Sequence, residues 1–376
     1  MSLAGHDVVI VGAGIVGAAC AAECAREGLR VGVVEAGEVG GGATAAGMGH
    51  LVAMDDSEAQ FALTRYSQIL WAELAEELPR EVEFDTCGTI WVAADDEEMA
   101  EVRRKKRFYD MRGVLVELLD EQSLALAEPE LRPGLAGGLL VPGDGVIYPP
   151  CAARFLLGQA QARGAELHLG RPVVELTARG ARLGDGTLLA AGLIVNATGA
   201  WAGQLTPGLE VRKRKGHLLI TDRYPGFVRH QLIELGYLKS AHSLASDSVA
   251  FNAQPRATGQ VLIGSSRQYG AEDAGVESRM LARMLARACE YMPGLGQLSA
   301  VRAWTGFRAA TPDKLPLIGP CPGRENLYLA TGHEGLGITT SLGTARLLVD
   351  QLLGRAPAIP VEPYLPARIG QEATHA

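Results

Sequence analysis

Three glycines and a glutamate define the chemistry this chain is equipped for. Gly12-Ala13-Gly14-Ile15-Val16-Gly17 is a G-x-G-x-x-G turn, and Glu35 closes the next apolar run. Such a turn suits a pyrophosphate. Gly12 allows the tight turn, Gly14 lets phosphate oxygens reach the backbone, and Gly17 lets a helix and a strand pack closely. The helix that follows offers free N–H groups and the positive end of its dipole. An acid about twenty residues on accepts hydrogen bonds from ribose hydroxyls, and Glu35 stands there. The motif alone is weak; its weight comes from the elements around it.

Those elements are in register. Residues 8–11 are a β-branched apolar run, as expected of a buried parallel strand. Residues 18–26 are small and suit a helix pressed against a sheet, and Gly28 can stop it. Residues 29–34 read as a second strand. The segment 37–49, GEVGGGATAAGMG, follows Glu35 directly and can wrap a bulky planar cofactor with its backbone; a flexible linker is the disfavoured alternative.

The chain has 376 residues, enough for two domains. With 47% hydrophobic and 21% charged residues it has an ordinary globular composition. A net charge of −8 argues against nucleic acid or an anionic membrane as main partner. The six cysteines form no C-x-x-C pair, which fits a reduced, cytoplasmic setting. Cys20 and Cys24 share a helix face and read as small core residues rather than a metal or redox pair; no metal site is expected. No leader is expected at the N-terminus. The glycines and Glu23 argue against a membrane span over residues 8–25.

Further along, residues 60–78 have helical spacing and Pro79 stops them. Residues 82–94 read as strands around Cys87-Gly88, and 96–112 as a charged helix. Its block Arg103-Arg104-Lys105-Lys106-Arg107 reads as a solvated face, with a docking surface as the alternative. Residues 131–150 are rich in Gly and Pro and read as turns and loop. A helix is expected at 152–163, and strands at 167–174, 181–189 and 193–196, with Gly184-Asp185-Gly186 as a hairpin turn. β-type runs dominate 211–267. Residues 277–291 read as a helix, 300–307 and 327–330 as strands, and 338–353 as a helix pointing back at a glycine-rich turn. The tail after Pro357 is expected to be poorly ordered. Dinucleotide-type elements thus occupy both ends and a middle section, with two β-rich insertions between them, which implies two interleaved domains.

Several further motifs occur in a fixed order. They are Asn196-Ala197-Thr198-Gly199-Ala200-Trp201, Trp304-Thr305-Gly306-Phe307-Arg308, Leu315-Pro316-Leu317-Ile318-Gly319-Pro320 and Ala330-Thr331-Gly332-His333. With the N-terminal turn they resemble the FAD-dependent D-amino-acid oxidase family, in the branch of glycine oxidase, sarcosine oxidase and the D-amino-acid dehydrogenases. The resemblance spans nearly the whole chain. The run from Gly332 to Thr340, with Lys215-Gly216-His217-Leu218-Leu219, looks most like the D-hydroxyproline dehydrogenases and the flavin subunit of hydrogen cyanide synthase.

The resemblance implies an α/β fold: a Rossmann-like FAD-binding domain (residues 1–83, 150–210 and 315–376) interleaved with a β-rich α+β substrate domain (84–149 and 211–314). Gly12, Gly14, Ile15, Val16, Gly17, Glu35 and Ala36 would hold the ADP half of a non-covalent FAD. Ala43 and Thr44 would meet the pyrophosphate, and Gly47, Met48 and Gly49 would lie along the flavin. Val173 or Val174 would contact adenine through its backbone, and Ala197, Thr198 and Gly199 would pass close to the cofactor. Gly335, Leu336, Gly337, Ile338 and Thr339 would place N–H groups near the flavin's N1–C2=O edge, where a helix dipole favours negative charge.

Arg308 matches the family's carboxylate clamp; a planar fork binds a carboxylate in two places and fixes Cα–H against the flavin. The family's tyrosine before a Pro-Arg pair is absent, so Asn252 or Tyr237 would replace it. Met48 would border the substrate. His50 and His333 would polarise the site or take a proton, with packing as the alternative for each. The implied reaction is dehydrogenation of a small D-amino or imino acid, with D-hydroxyproline or D-proline first and glycine or sarcosine as the rival. Electrons would pass to flavin or iron–sulfur subunits of a heteromeric complex, to a peripheral membrane acceptor, or to oxygen in an oxidase. A flavin subunit that only relays electrons, and an NAD-linked dehydrogenase, are the remaining alternatives.

Overall fold

The run Val8–Val11 forms where its residues demand. In the computed structural model, which describes residues 5–236 and 247–369, the strand His6–Val11 lies inside an eight-stranded sheet. The main path of that sheet runs Leu317–Pro320, Leu327–Thr331, Leu188–Asn196, His6–Val11, Val31–Glu35, Glu166–Leu169. The pairings from Leu327–Thr331 through to Glu166–Leu169 are all parallel. Val173–Thr177 and Gly180–Leu183 extend Leu188–Asn196 as an antiparallel flap. Helices Ile15–Arg26, Pro149–Ala162 and Ser341–Leu352 pack together on one side. Ala18, Cys20, Ala21 and Cys24 are buried there beside Leu156 and Leu347, so the small residues of the first helix serve close packing. All six cysteines are free.

The second eight-stranded sheet runs Ala300–Ala310, Arg212–Arg223, Gln260–Tyr269, Ser248–Pro255, Gln231–Glu234, Thr89–Ala93, Gly137–Val141, Glu117–Asp120. It is antiparallel except where Gln231–Glu234 meets Thr89–Ala93. Helix Ser278–Tyr291 covers it, with Met280, Met284, Ala288 and Tyr291 buried and Tyr291 stacked on Phe251. The two sheets meet where Ala300–Ala310 crosses the short helix Gly42–Ala46; a Cβ on Gly306 would come within 2.3 Å of the Ala46 Cβ. A mixed α/β architecture is what the sequence implied.

Several local expectations change. The segment 131–150 is not all loop: Gly137–Val141 and Gly145–Val146 are strands. Its glycines serve close approach, since a Cβ on Gly138 would sit 2.7 Å from the Trp91 carbonyl oxygen. The run 167–174 is two strands, broken at Gly170-Arg171-Pro172, where Pro172 has no N–H to give a ladder. Before Thr89–Ala93 the chain makes a 3-10 turn, Arg80–Val82, not a strand. The last long helix starts at Ser341 rather than 338. The tail through Ile369 is folded into two 3-10 turns, and buried Tyr364 donates its hydroxyl to the Ala59 carbonyl at 2.7 Å. Among the described residues no helix is long and apolar enough to cross a membrane.

The basic block on helix Asp96–Asp110 is not wholly solvated. Arg103 and Arg107 are exposed, but Lys105 is fully buried, ion-paired with Asp55 and 4.2 Å from the Trp91 ring centre. Burial would raise the Asp55 carboxyl, but Lys105 and Arg104 outweigh it and hold it below the usual carboxylate range. His333 is buried just after the last strand, its Nε2 2.9 Å from Thr344 Oγ1, so it joins the segment after that strand to the last helix. Burial alone pushes its pKa down to about 3, so the ring is neutral at physiological pH.

Lys105→Met is expected to lower the unfolding free energy by about 3 kcal/mol, because the buried Asp55 carboxylate is left with the partly exposed Arg104 as its counter-charge; urea unfolding measures this. Arg103→Ala and Arg107→Ala are expected to stay within about 0.5 kcal/mol of the parent. For His333, the unfolded ring titrates near 6.5 and the folded one at about 3. The stability it carries is therefore complete above pH ~6.5 and is lost as the pH falls toward 3. His333→Gln should flatten that decline by at most about 1.4 kcal/mol per pH unit; an unchanged slope contradicts the assignment.

Candidate active site

The N-terminal turn is built by exclusion. A Cβ on Gly12, whose φ is +106°, would meet the Ala197 carbonyl oxygen at 2.7 Å, and one on Gly17 would lie 1.9 Å from the Gly12 oxygen. A Cβ on Gly14 would meet only Thr44 Oγ1, at 3.2 Å, so this position is open for a ligand. Thr44 Oγ1 accepts the Ile15 N–H at 3.0 Å and caps the helix start. Glu35 accepts from Ala13 N–H at 2.7 Å through Oε2 and from Gly37 N–H at 2.8 Å through Oε1. Its carboxylate is thereby fixed beside the turn, with lone pairs left for hydroxyl donors.

One cavity of about 680 Å³ runs from this turn to the second sheet. Gly12, Gly14, Glu35 and Val173 line one end, and Met48, His50, Asn252 and Arg308 line the other. The volume falls within the range of about 300–1,000 Å³ usual for ligand pockets. A dinucleotide with a planar ring fits this donor set: open backbone at Gly14, a fixed acid, then a channel walled by Gly47, Gly49 and residues 335–338.

Arg308 stands on strand Ala300–Ala310, opposite Arg214 on Arg212–Arg223. Its guanidinium lies over Gly216, where a Cβ would come within 2.4 Å of Nη1. Nη1 donates to the Ser266 carbonyl at 3.0 Å, which fixes the fork. Arg214 is buried and ion-paired with Glu334, whose backbone N–H donates to the Ala309 carbonyl at 2.9 Å. Glu334 therefore anchors its loop to the strand that bears Arg308.

The neighbouring polar groups form a chain whose direction can be assigned. Gln231 Nε2 donates to the Gly145 carbonyl at 2.8 Å and to Thr89 Oγ1 at 3.2 Å, so its Oε1 is an acceptor. His50 Nδ1 faces that oxygen and must donate to it. His50 Nε2 is then the acceptor, and Asn252 Nδ2 lies 3.3 Å away to donate. This leaves Asn252 Oδ1, buried and with no hydrogen-bond partner, as the chain's free acceptor. Burial pushes the His50 pKa down, the Gln231 contact opposes it, and nearby Arg308 pushes it down further; the ring stays neutral.

The cavity lining gathers nearly all the residues singled out from sequence: Gly12, Gly14, Ile15, Val16, Glu35, Ala36, Ala43, Thr44, Gly47, Met48 and Gly49, then Val173, Ala197, Thr198 and Gly199, and finally Gly335, Leu336, Gly337 and Ile338, with Arg308, His50, His333 and Asn252. Gly17 lies behind the turn, and Thr339 is fully buried, its hydroxyl donating to the His50 carbonyl at 2.7 Å. The Nε2 of His333 is taken by Thr344. Tyr237 lies outside the described residues. Gln231, Gly306 and the buried cavity-wall residue Arg267 were not singled out from sequence. Only Gly306 carried a local signal, inside Trp304-Thr305-Gly306-Phe307-Arg308; Gln231 acts through His50, Thr89 and Gly145, all distant in sequence.

Comparison with known proteins places the chain in a family. The family described as FAD dependent oxidoreductase matches residues 7–351. A glycine oxidase of Pseudomonas aeruginosa is 32% identical, covering 96% of this chain and 98% of its own length. A hydrogen cyanide synthase subunit of the same species is 28% identical over 98% of this chain and 97% of its own. The crystal structure of glycine oxidase from Geobacillus kaustophilus matches with a TM-score of 0.87 and 30% identity, over 96% of this chain and 98% of that one. With the turn, the fixed acid and the continuous cavity already in place, the cofactor is FAD. The chain belongs to the FAD dependent oxidoreductase family, with the activity of an amino acid oxidase or dehydrogenase.

Proposed function

We propose that this protein oxidises the Cα–N bond of a small D-amino or imino acid, with D-hydroxyproline or D-proline as the preferred substrate. The observation that carries the reading is the pairing, in one cavity, of the Arg308 fork with the free acceptor Asn252 Oδ1. Arg308 binds the carboxylate in two places. Asn252 Oδ1 accepts the amine N–H, which orients a neutral secondary amine so that its lone pair is left to form the C=N bond. Met48, Leu218, Trp91 and Ile233 give the cavity an apolar wall suited to a compact ring. Bound FAD supplies the two-electron acceptor for the hydride. Segments 1–83, 150–210 and 315–376 would hold it, and 84–149 and 211–314 would hold the substrate.

In this reading His50 is a positioning residue: as a neutral acceptor it sets which face of the Asn252 carboxamide meets substrate. His333 is a structural group whose ring is engaged by Thr344. A second reading is glycine or sarcosine oxidation with oxygen; relatives named glycine oxidase support its glycine form. A heteromeric complex is supported by one relative's being a hydrogen cyanide synthase subunit. No substrate base is required of the protein beyond obtaining the neutral amine.

The test is an anaerobic panel. D-hydroxyproline or D-proline is expected to bleach the visible flavin band fastest, and air is then readmitted to show whether oxygen restores it. Fastest bleaching by glycine or sarcosine favours the second reading, and retained FAD that no amino acid bleaches contradicts both. Arg308→Ala is expected to keep FAD but lower kcat/KM by about a hundredfold or more. Arg308→Lys should recover only part, because an ammonium cannot reproduce the planar fork. Flavin reduction at parental speed in Arg308→Ala would show that the carboxylate binds elsewhere.

A further inference from the structure

A second cluster of chemically capable side chains lies on the first sheet, apart from the cavity. Strand Glu166–Leu169 pairs with Val31–Glu35, placing Glu166 opposite Gly32 and His168 opposite Val34. Alternate residues of a strand share a face, so Glu166 and His168 point the same way. The ring of His6, from the neighbouring first strand, lies over Gly32; a Cβ there would come within 3.0 Å of His6 Cδ2 and Nε2. Gly32 thus clears the path along which His6 reaches across the intervening strand to Glu166.

We propose that His6, Glu166 and His168 form a binding site for a divalent transition-metal ion, with Zn²⁺ as the type ion. His6 Nε2 is 3.3 Å from Glu166 Oε2, His168 Nε2 is 3.8 Å from that same oxygen, and one ligand atom from each residue lies within 4.8 Å of the others. A tetrahedral ion with bonds of about 2.0–2.1 Å needs donors about 3.3 Å apart, so small side-chain adjustments complete three corners. His168 Nε2 is shielded from solvent and has no hydrogen-bond partner, since 3.8 Å is too long for one. An ion between the three groups supplies what that nitrogen lacks.

The donor set selects the ion. Two imidazoles and a carboxylate suit zinc, nickel or copper rather than magnesium or calcium. Glu166 is 66% exposed, so water reaches the remaining coordination position. Nearby charges are already neutralised: Arg171 pairs with Asp185, and Arg30 with Asp7. The bound ion would join the first strand to the edge strand of the sheet, and that edge strand runs on to Arg171, Pro172 and Val173 on the cavity wall. A ligand held by the folded state alone stabilises it, so the site is a clamp on the edge of the cofactor-binding sheet.

The site stands independently of the substrate reading. The test uses tag-free, FAD-loaded protein stripped with chelator and titrated with ZnCl2 in a calorimeter. One ion per chain is expected, with at least tenfold weaker binding in His6→Ala and in His168→Ala, and a rise in Tm on adding Zn²⁺ that both variants lose. The visible flavin spectrum reports that each variant is folded. Should His6→Ala lose its FAD, His168→Ala, nearer the sheet edge, decides. No stoichiometric binding, or binding unchanged by the histidine substitutions, overturns the proposal and leaves His6 and Glu166 as an ordinary surface contact.

Discussion

No side chain fits at position 17, because a Cβ there would lie 1.9 Å from the Gly12 carbonyl oxygen. That close approach of the first helix to the end of the first strand is the constraint on which the structure depends. It brings the helix N-terminus to the strand end, and Gly12 packs in turn against the Ala197 carbonyl. The strand ends, the Glu35 carboxylate and the segment 42–49 then converge on one side. A second such approach, Gly306 against Ala46, seats the other sheet on that segment. Two glycine contacts therefore place the phosphate turn and the Arg308 strand at opposite ends of one cavity.

The polarity of the site is set further out than its lining. Gln231 is fully buried and spends its amide hydrogens on Gly145 and Thr89, and from this follow the tautomer of His50 and the orientation of Asn252. A neutral imidazole suits this work, since a charged ring would donate to Asn252 and turn its oxygen away from the amine. Arg308 reinforces that neutrality by disfavouring a second positive charge beside it. The fork and the acceptor are thus linked electrostatically as well as by position.

The local parts of the site were legible in the sequence because they rest on backbone needs that particular residues announce. Gly12, Gly14, Gly17 and Glu35 follow one another within a single strand–helix–strand unit, and Arg308 sits in a motif with Trp304. Gln231 gave no signal, because its meaning comes from His50, which joins it only in the fold. Composition misled where glycine serves packing: Gly137 and Gly138 read as turns yet lie in a strand pressed against Trp91 and Leu119. Charge misled at Lys105, whose neighbours are solvated while its own ammonium is drawn inward by Asp55. Asp55 lies fifty residues earlier and carried no mark of this role.

The proposed chemistry rests on one cavity that holds a carboxylate at Arg308 and an N–H at Asn252. Its most direct test is a crystal structure of the FAD-loaded protein with pyrrole-2-carboxylate, a planar ring bearing both groups and no hydrogen on the carbon that would be oxidised. Both carboxylate oxygens are expected about 3 Å from the Arg308 guanidinium, with the ring N–H directed at Asn252 Oδ1. A carboxylate bound elsewhere in the cavity, or a ring nitrogen turned away from Asn252, would contradict it.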